Sequence, residues 1–249
     1  MTDKARAFAA LHRPGDPLVL YNVWDAGSAK AVAEAGAPAL ATGSASVAAA
    51  HGYTDAESLP LDLALANAER VVRAVGIPVS VDFEGAYSAD PAEAADNVAR
   101  LQATGAIGCN FEDQVIGGEG LHPPAAQAER IRAIRAAVGP DFFINARTDV
   151  FLKAARESHD AVMVEAALER AHAYAEAGAS GFFVPGLADL ALLERVCTAS
   201  PLPVNFMAFP GAPDNAAVAA VGVARISYGP FPYRAAMKAL KEAAGGIYG

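Results

Sequence analysis

Short apolar runs rich in β-branched and aromatic residues recur at a regular beat along the chain. They fall at 18–24 (LVLYNVW), 37–43 (APALATG), 77–83 (IPVSVDF) and 106–112 (AIGCNFE), then at 141–147 (DFFINAR), 180–186 (SGFFVPG), 202–208 (LPVNFMA) and 223–229 (VARISYG). Each reads as a strand buried on both faces, because the apolar residues run on rather than alternate. Ala-rich stretches with helical spacing lie between them. DPAEAADNVARLQATG opens on an Asp cap with Pro in the first turn and stops at Gly. AVMVEAALERAHAYAEAGA sets Val164, Leu168, Ala171 and Ala175 on one stripe and also ends at Gly. The phrase AGA or TGA returns before three of the strands, in AEAGAPAL, QATGAIGC and AEAGASGF. Strands and helices in strict alternation predict parallel βα units. Eight of them in a chain of this length predict one (β/α)8 barrel spanning residues 1–249. An open doubly wound sheet is the alternative, but no Gly-x-Gly-x-x-Gly follows the first run.

Composition narrows the class further. Of the 249 residues 53% are hydrophobic and 19% charged, which supports a substantial core rather than a disordered chain. A net charge of −9 argues against nucleic-acid or anionic-membrane surfaces, which need clustered Lys and Arg. Cys109 and Cys197 form neither a disulfide framework nor a metal-type pair. No apolar run is long enough for a transmembrane helix, and the start MTDKARAFAALHRPGD lacks a signal-peptide core, so a cytoplasmic location is expected.

A barrel of this kind places its chemistry at the C-terminal ends of its strands. Polar residues collect there: Trp24-Asp25 at the end of the first run, Thr42-Gly43-Ser44 at the end of the second, Asp82 and Glu84 at the end of the third. Glu112 and Asp113 close the fourth, and Asn145, Arg147 and Asp149 the fifth. Asn205 lies in the seventh run, and Ser227-Tyr228 end the eighth. Several carboxylates in one mouth repel each other unless a cation neutralises them, and hard oxygen donors select Mg²⁺ or Mn²⁺ over Zn²⁺. Arg147 is suited to a bidentate grip on a substrate carboxylate. The Thr42-Gly43-Ser44 turn offers N–H groups and a hydroxyl for an oxyanion. Simpler roles compete: Asp25 as a helix cap, Asp149 as a partner for Arg147, His122 as a loop residue, Cys109 as packing, and His12, His159 and His172 as solvated side chains.

The order TGSASVAAAHGYTD, VDFEGAYS, FEDQ, NARTD and YAEAGASGFFVPG, spread from about Leu20 to Met237, resembles the isocitrate lyase / phosphoenolpyruvate mutase superfamily, in its short branch. That branch holds 2-methylisocitrate lyase, dimethylmalate lyase, oxaloacetate decarboxylase, phosphonopyruvate hydrolase and the mutase. The resemblance implies a (β/α)8 barrel whose last helix, here FPYRAAMKALKEAA, is exchanged between subunits of a homo-oligomer (dimer or tetramer). It implies Asp82 as the direct Mg²⁺ ligand, with Glu84 and Glu112 around the ion's water shell. It implies Asp55 as the acid of the GYTD stretch, and Arg147 as the arginine for the substrate carboxylate. Tyr21, Trp24, Thr42, Gly43, Ser44, Ala45 and Asn205 are then expected at the small keto- or hydroxy-acid substrate.

Three departures stand out. The family usually has Asp where Glu84 stands and, in the lyases, Glu where Gly186 follows Pro185. In place of the lyase loop motif K-[KR]-C-G-H, this chain reads VIGGEGLHPP after FEDQ, with neither Cys nor Lys. The expectation is therefore a lyase cleaving a C–C bond of a 2-hydroxy or 2-keto di- or tricarboxylate through a metal-stabilised enolate, at a slow rate. His122, Glu119, Tyr53 or a metal-bound water would replace the cysteine in proton transfer. The alternatives are P–C chemistry on phosphoenolpyruvate or phosphonopyruvate, which needs cations that this loop does not supply, and keto-acid binding with little or no turnover.

Overall fold

The computed structural model describes residues 3–249. Helix α1 (Asp3–Ala10) leads into β1 (Leu18–Leu20), α2 (Ala26–Glu34), β2 (Leu40–Ala41), α3 (Ser44–Ala50) and α4 (Leu61–Ala74). Then come β3 (Val79–Asp82), α5 (Pro91–Ala103), β4 (Gly108–Glu112), α6 (Pro124–Val138) and β5 (Phe143–Arg147). A 3₁₀ turn (Arg156–Ser158) precedes α7 (Ala161–Glu176), followed by β6 (Gly181–Phe183), α8 (Leu190–Ala199) and β7 (Val204–Met207). Helix α9 (Asn215–Ala220), β8 (Arg225–Ser227) and α10 (Phe231–Tyr248) complete the chain.

The strands pair in parallel in the order β1-β8-β7-β6-β5-β4-β3-β2. A parallel bridge between Val23 and Thr42, with the Val23 N–H donating to the Ala41 carbonyl at 2.9 Å, draws the two ends together into a nearly closed (β/α)8 barrel. Every expected strand is present but shorter than its apolar run. Residues such as Asn22 and Val23 stay buried while leaving the ladder for a loop, and burial alone does not mark where pairing stops.

Helix starts follow the local chemistry. Asp25, Asp90, Asp160, Asp189 and Asp214 each accept a first-turn N–H, which satisfies a donor the helix cannot pair itself. Asp25 is therefore a cap, with Ser28 completing the box. On α7 the buried stripe is Val164, Ala167, Leu168, Ala171 and Tyr174; Tyr174 takes the place expected for Ala175.

The main core lies between the strands and the outer helices, where Phe111, Ile144, Phe182, Phe206 and Ile226 meet Val98, Leu101, Ile131, Leu168 and Leu193. Each such side chain contributes about 1.5–3 kcal/mol through burial. The barrel's interior is different: Asn110, Asn145, Asn205 and Arg225 form a buried polar layer. The Asn145 amide donates to Asn110 Oδ1 (2.8 Å) and Asn205 Oδ1 (3.0 Å). Below that layer α1 plugs the N-terminal end, with Phe8 edge-on to Phe143 at 5.3 Å and His12 stacked on Phe143 at 4.2 Å. The histidine expected to be solvated is thus part of the plug. At the other terminus α10 buries only Pro232. Among the described residues no helix is long and apolar enough to cross a membrane.

Candidate active site

A cavity of about 360 Å³ opens at the C-terminal ends of the strands. Asp82, at the end of β3, lies at its inner end. The Ser44 N–H donates to Asp82 Oδ2 at 3.0 Å, and the Asn110 amide donates to Oδ1 at 3.2 Å. The Asp82 N–H in turn donates to the Thr42 hydroxyl at 3.0 Å, which pins β3 to the end of β2. One donor on each oxygen fixes the carboxylate's orientation and leaves lone pairs toward the cavity.

Glu84 and Glu112 stand behind Asp82, both buried, and their segments are joined by the Glu112 N–H donating to the Glu84 carbonyl at 2.9 Å. Burial is the main reason the Glu84 carboxyl is pushed up to about 9, and the charges of Asp82, Asp55 and Glu112 add to it. Glu84 adopts a left-handed backbone (φ 51°) and accepts the Glu57 N–H at 3.0 Å. Glu112 is pushed up to about 8, again mainly by burial, with Arg147 opposing the shift.

Arg147, at the end of β5, meets Glu112 through Nη1 at 2.8 Å. Its Nε and Nη2 grip Asp149 at 2.6 and 2.8 Å, so Asp149 is its structural partner. A guanidinium has five N–H groups, and its hydrogen bonds to Asp149 take two, which leaves donors for a ligand in the cavity that Arg147 lines. Asp113 stands behind that brace: it accepts from the Asp149 N–H at 3.0 Å, the Tyr174 hydroxyl at 2.8 Å and Arg170 at 2.9 Å.

The structure brings Asp55, Asp82, Gly43, Ser44, Ala45 and Arg147 to the cavity wall. Thr42, Glu84 and Glu112 are behind it. Asn205 lies deeper in the barrel interior, its amide engaged with the Phe206 carbonyl at 2.7 Å. Tyr21 is exposed against Tyr228, and Trp24 packs edge-on to Tyr233 at 5.2 Å, both away from the cavity lining. His122 lines a smaller pocket of about 140 Å³ with Glu57, Tyr87 and Arg130. Its loop is a tight hairpin, bridged from Gln114 to Leu121, and none of residues 115–122 lines the main cavity. Glu119 and Tyr53 are exposed and likewise absent from that lining. Neither cysteine offers a reactive thiolate: burial pushes Cys109 and Cys197 up to about 12.

Gly186, where the lyases carry Glu, has φ 92° and sits so close to Leu152 that an added Cβ would lie 3.1 Å from its Cα. A side chain there would be strained by the left-handed φ and crowded by the Leu152 backbone. Arg156 and Arg234 also line the cavity, although neither is at a strand end. No local signal marks them, since the β5–α7 connection and α10 reach the mouth only in the folded barrel.

An eight-stranded barrel with an acidic inner end and an adjoining arginine defines an enzyme of the (β/α)8 class. The chain matches the phosphoenolpyruvate phosphomutase family over residues 8–248 and belongs to it, within the PEP mutase/isocitrate lyase superfamily of lyases, mutases and hydrolases. It is 51% identical to a crystal structure from Burkholderia cenocepacia J2315 assigned provisionally as a phosphonomutase, with a TM-score of 0.96 and 98% of each chain covered. It is 37% identical over 240 residues to an uncharacterized protein of Mycobacterium tuberculosis (strain ATCC 25618 / H37Rv), covering 96% of this chain and 87% of the other. To the 2-methylisocitrate lyase of Escherichia coli (strain K12) it is 32% identical over 208 residues, covering 80% and 68%.

Proposed function

We propose that this enzyme is a Mg²⁺- or Mn²⁺-dependent lyase that cleaves a C–C bond of a small 2-hydroxy or 2-keto di- or tricarboxylate through an enolate. The observation that carries the reading is the placement of Asp82 and Asp55 on the cavity wall beside Arg147, with Glu84 and Glu112 buried behind Asp82. The donor set suits a hard divalent cation, for it is all oxygen, without sulfur or imidazole. The mutual repulsion and burial that raise Glu84 and Glu112 are a cost that a positive charge would offset. Among the described residues no three His, Cys, Asp or Glu groups form a ready ligand shell. Asp82 would therefore hold the ion alone, with Glu84, Glu112 and Asp55 holding its waters, as suits an ion that keeps several. When bound, the ion supplies positive charge opposite the oxygens of the enolate.

The chain's own groups do the rest. Arg147, braced by Asp149 and Glu112, keeps N–H groups for the substrate carboxylate. The Ser44 N–H is committed to Asp82, so the Ala45 N–H, which has no partner within its own helix turn, is the oxyanion donor of that loop. Asp55 is the proton-transfer group, since it lines the cavity while His122, Glu119 and Tyr53 do not. The same reading includes a homo-oligomer in which α10 packs on a second copy.

A second reading, P–C chemistry on phosphonopyruvate, is favoured by one observation: Arg156 and Arg234 supply cavity cations that the 115–122 loop lacks. A panel of isocitrate, methylisocitrate, dimethylmalate, oxaloacetate and phosphonopyruvate, assayed with Mg²⁺ for keto-acid and phosphate release, separates the two. Asp82→Ala is expected to lower turnover on whichever substrate works by roughly 10²–10³-fold, the scale of lost transition-state charge stabilisation. Full activity in that variant sinks the metal assignment.

A further inference from the structure

The cavity has two chemically different ends. The inner end holds Asp82, Asn110 and Arg147; the outer end holds Arg156 and Arg234, both exposed to solvent. Between them the wall is apolar, built from Phe151, Met207, Phe209 and Phe231. Arg156 comes from the 3₁₀ turn after β5, and Arg234 from the first turn of α10. They approach the mouth from separate elements.

Each arginine is set in place by an aromatic ring of the same wall. The Arg156 guanidinium lies 4.1 Å from the Phe209 ring centre, and that of Arg234 lies 5.3 Å from the Phe231 ring centre. Stacking holds a planar guanidinium by its face and leaves its N–H edge free. Among the described residues neither arginine pairs with a carboxylate, so each keeps its donors for a ligand, and unlike the equally unpaired Arg70 and Arg132 both line the cavity. On a chain of net charge −9, two such unpaired cations at one mouth are a local reversal of sign that favours anion entry.

We infer that the outer end of the cavity is a second anion subsite, in which Arg156 and Arg234 bind a carboxylate or phosphonate at the far end of the substrate. The inference rests on the proposed keto-acid reading for the inner end and adds to it. The substrate is a molecule with an acid at each end and an aliphatic middle that passes the phenylalanine wall. Both arginines act as specificity-determining residues through direct contact with this distal group.

Calorimetric titration of the full chain with Mg²⁺ tests this, using oxalate, 2-oxoglutarate and phosphonopyruvate as probes against wild type, Arg156→Gln and Arg234→Gln. Oxalate reaches only the inner end, so its affinity is expected to be the same in all three proteins. Affinity for at least one of the longer acids is expected to fall roughly tenfold per arginine removed, the scale of one lost charge-assisted hydrogen bond. A larger loss for 2-oxoglutarate identifies a carboxylate site, and a larger loss for phosphonopyruvate a phosphonate site. Unchanged affinity for both longer acids, or an equal loss for oxalate, overturns the subsite. If wild type binds the longer acids in an arginine-dependent way but not oxalate, the subsite stands and the inner-end reading fails. If wild type binds none of the three, both fail. Both positions are exposed, so the folded state tolerates the substitutions, and circular dichroism checks it.

Discussion

His12 shows how a residue's chemistry is set by what packs on it. Its Nδ1 bonds the Phe8 carbonyl at 2.9 Å, which makes that nitrogen the donor, and its ring stacks on Phe143. Burial first, and the nearby Arg225 charge second, lower its pKa to about 3. The folded chain therefore holds His12 neutral where the unfolded chain would protonate it. A pKa depressed on folding contributes stability above the unfolded value near 6.5, and that stability is lost as pH falls from there toward 3. The loss is on the order of 1 kcal/mol per pH unit across that window. Urea unfolding at pH 7.5, 6 and 5 should show the decline, and His12→Phe should flatten it. An equal decline in that variant would place the effect elsewhere. Arg147 makes the complementary point, because two bracing carboxylates turn a long side chain into a fixed fork with a defined free edge.

Between elements, the connection from β3 to α5 is an unusual piece of backbone. Glu84, Ala86 and Tyr87 all adopt left-handed φ (51°, 61° and 60°) without being glycine, which costs each about 1 kcal/mol or more. Buried Arg130 of α6 holds the turn: its Nη2 donates to the carbonyls of Gly85 (2.5 Å) and Ser88 (2.7 Å), and it stacks over Phe111 at 4.6 Å. Glu57 adds a second tie by accepting the Tyr87 N–H at 2.8 Å. The expected outcome of Arg130→Met is a destabilisation of roughly 2–4 kcal/mol, from the buried Gly85 and Ser88 carbonyls and the Gln127 side chain left without their donor. Faster amide exchange at residues 85–88 should accompany it, since Glu84 sits on this turn. A variant with wild-type melting and exchange would show the turn to be held by other contacts.

For the whole molecule, the notable surface is the one its own last helix does not cover. Helix α10 leaves Leu240, Ile247 and Tyr248 exposed at 62%, 79% and 88%. On the outer face of the barrel, Val19 of β1 and its neighbour Tyr21 are also exposed, at 40% and 46%. Apolar area of this kind on both a helix and an uncovered strand favours association. Sedimentation of the purified chain is expected to give a species larger than a 25.5 kDa monomer. Replacing Leu240 and Ile247 by Glu together should reduce it to a smaller one. A wild-type monomer would remove α10 from the proposed assembly.

What the chain's own order determined was the alternation of strands and helices, the caps, and the strand ends that carry Asp82, Glu84, Glu112 and Arg147. These are local: a buried run, a first-turn Asp and a polar residue where a run stops are each written within a few neighbours. The tertiary structure alone decided which of those polar groups share a cavity. It set Tyr21, Trp24 and His122 away from the cavity, drew Asn205 into the barrel interior, and bent Gly186 close against the Leu152 backbone. It buried His12 in the plug and brought Arg156 and Arg234 to the mouth. Those placements depend on how far each loop travels around the closed barrel, a distance set by the packing of all the strands together and encoded at none of the residues it moves.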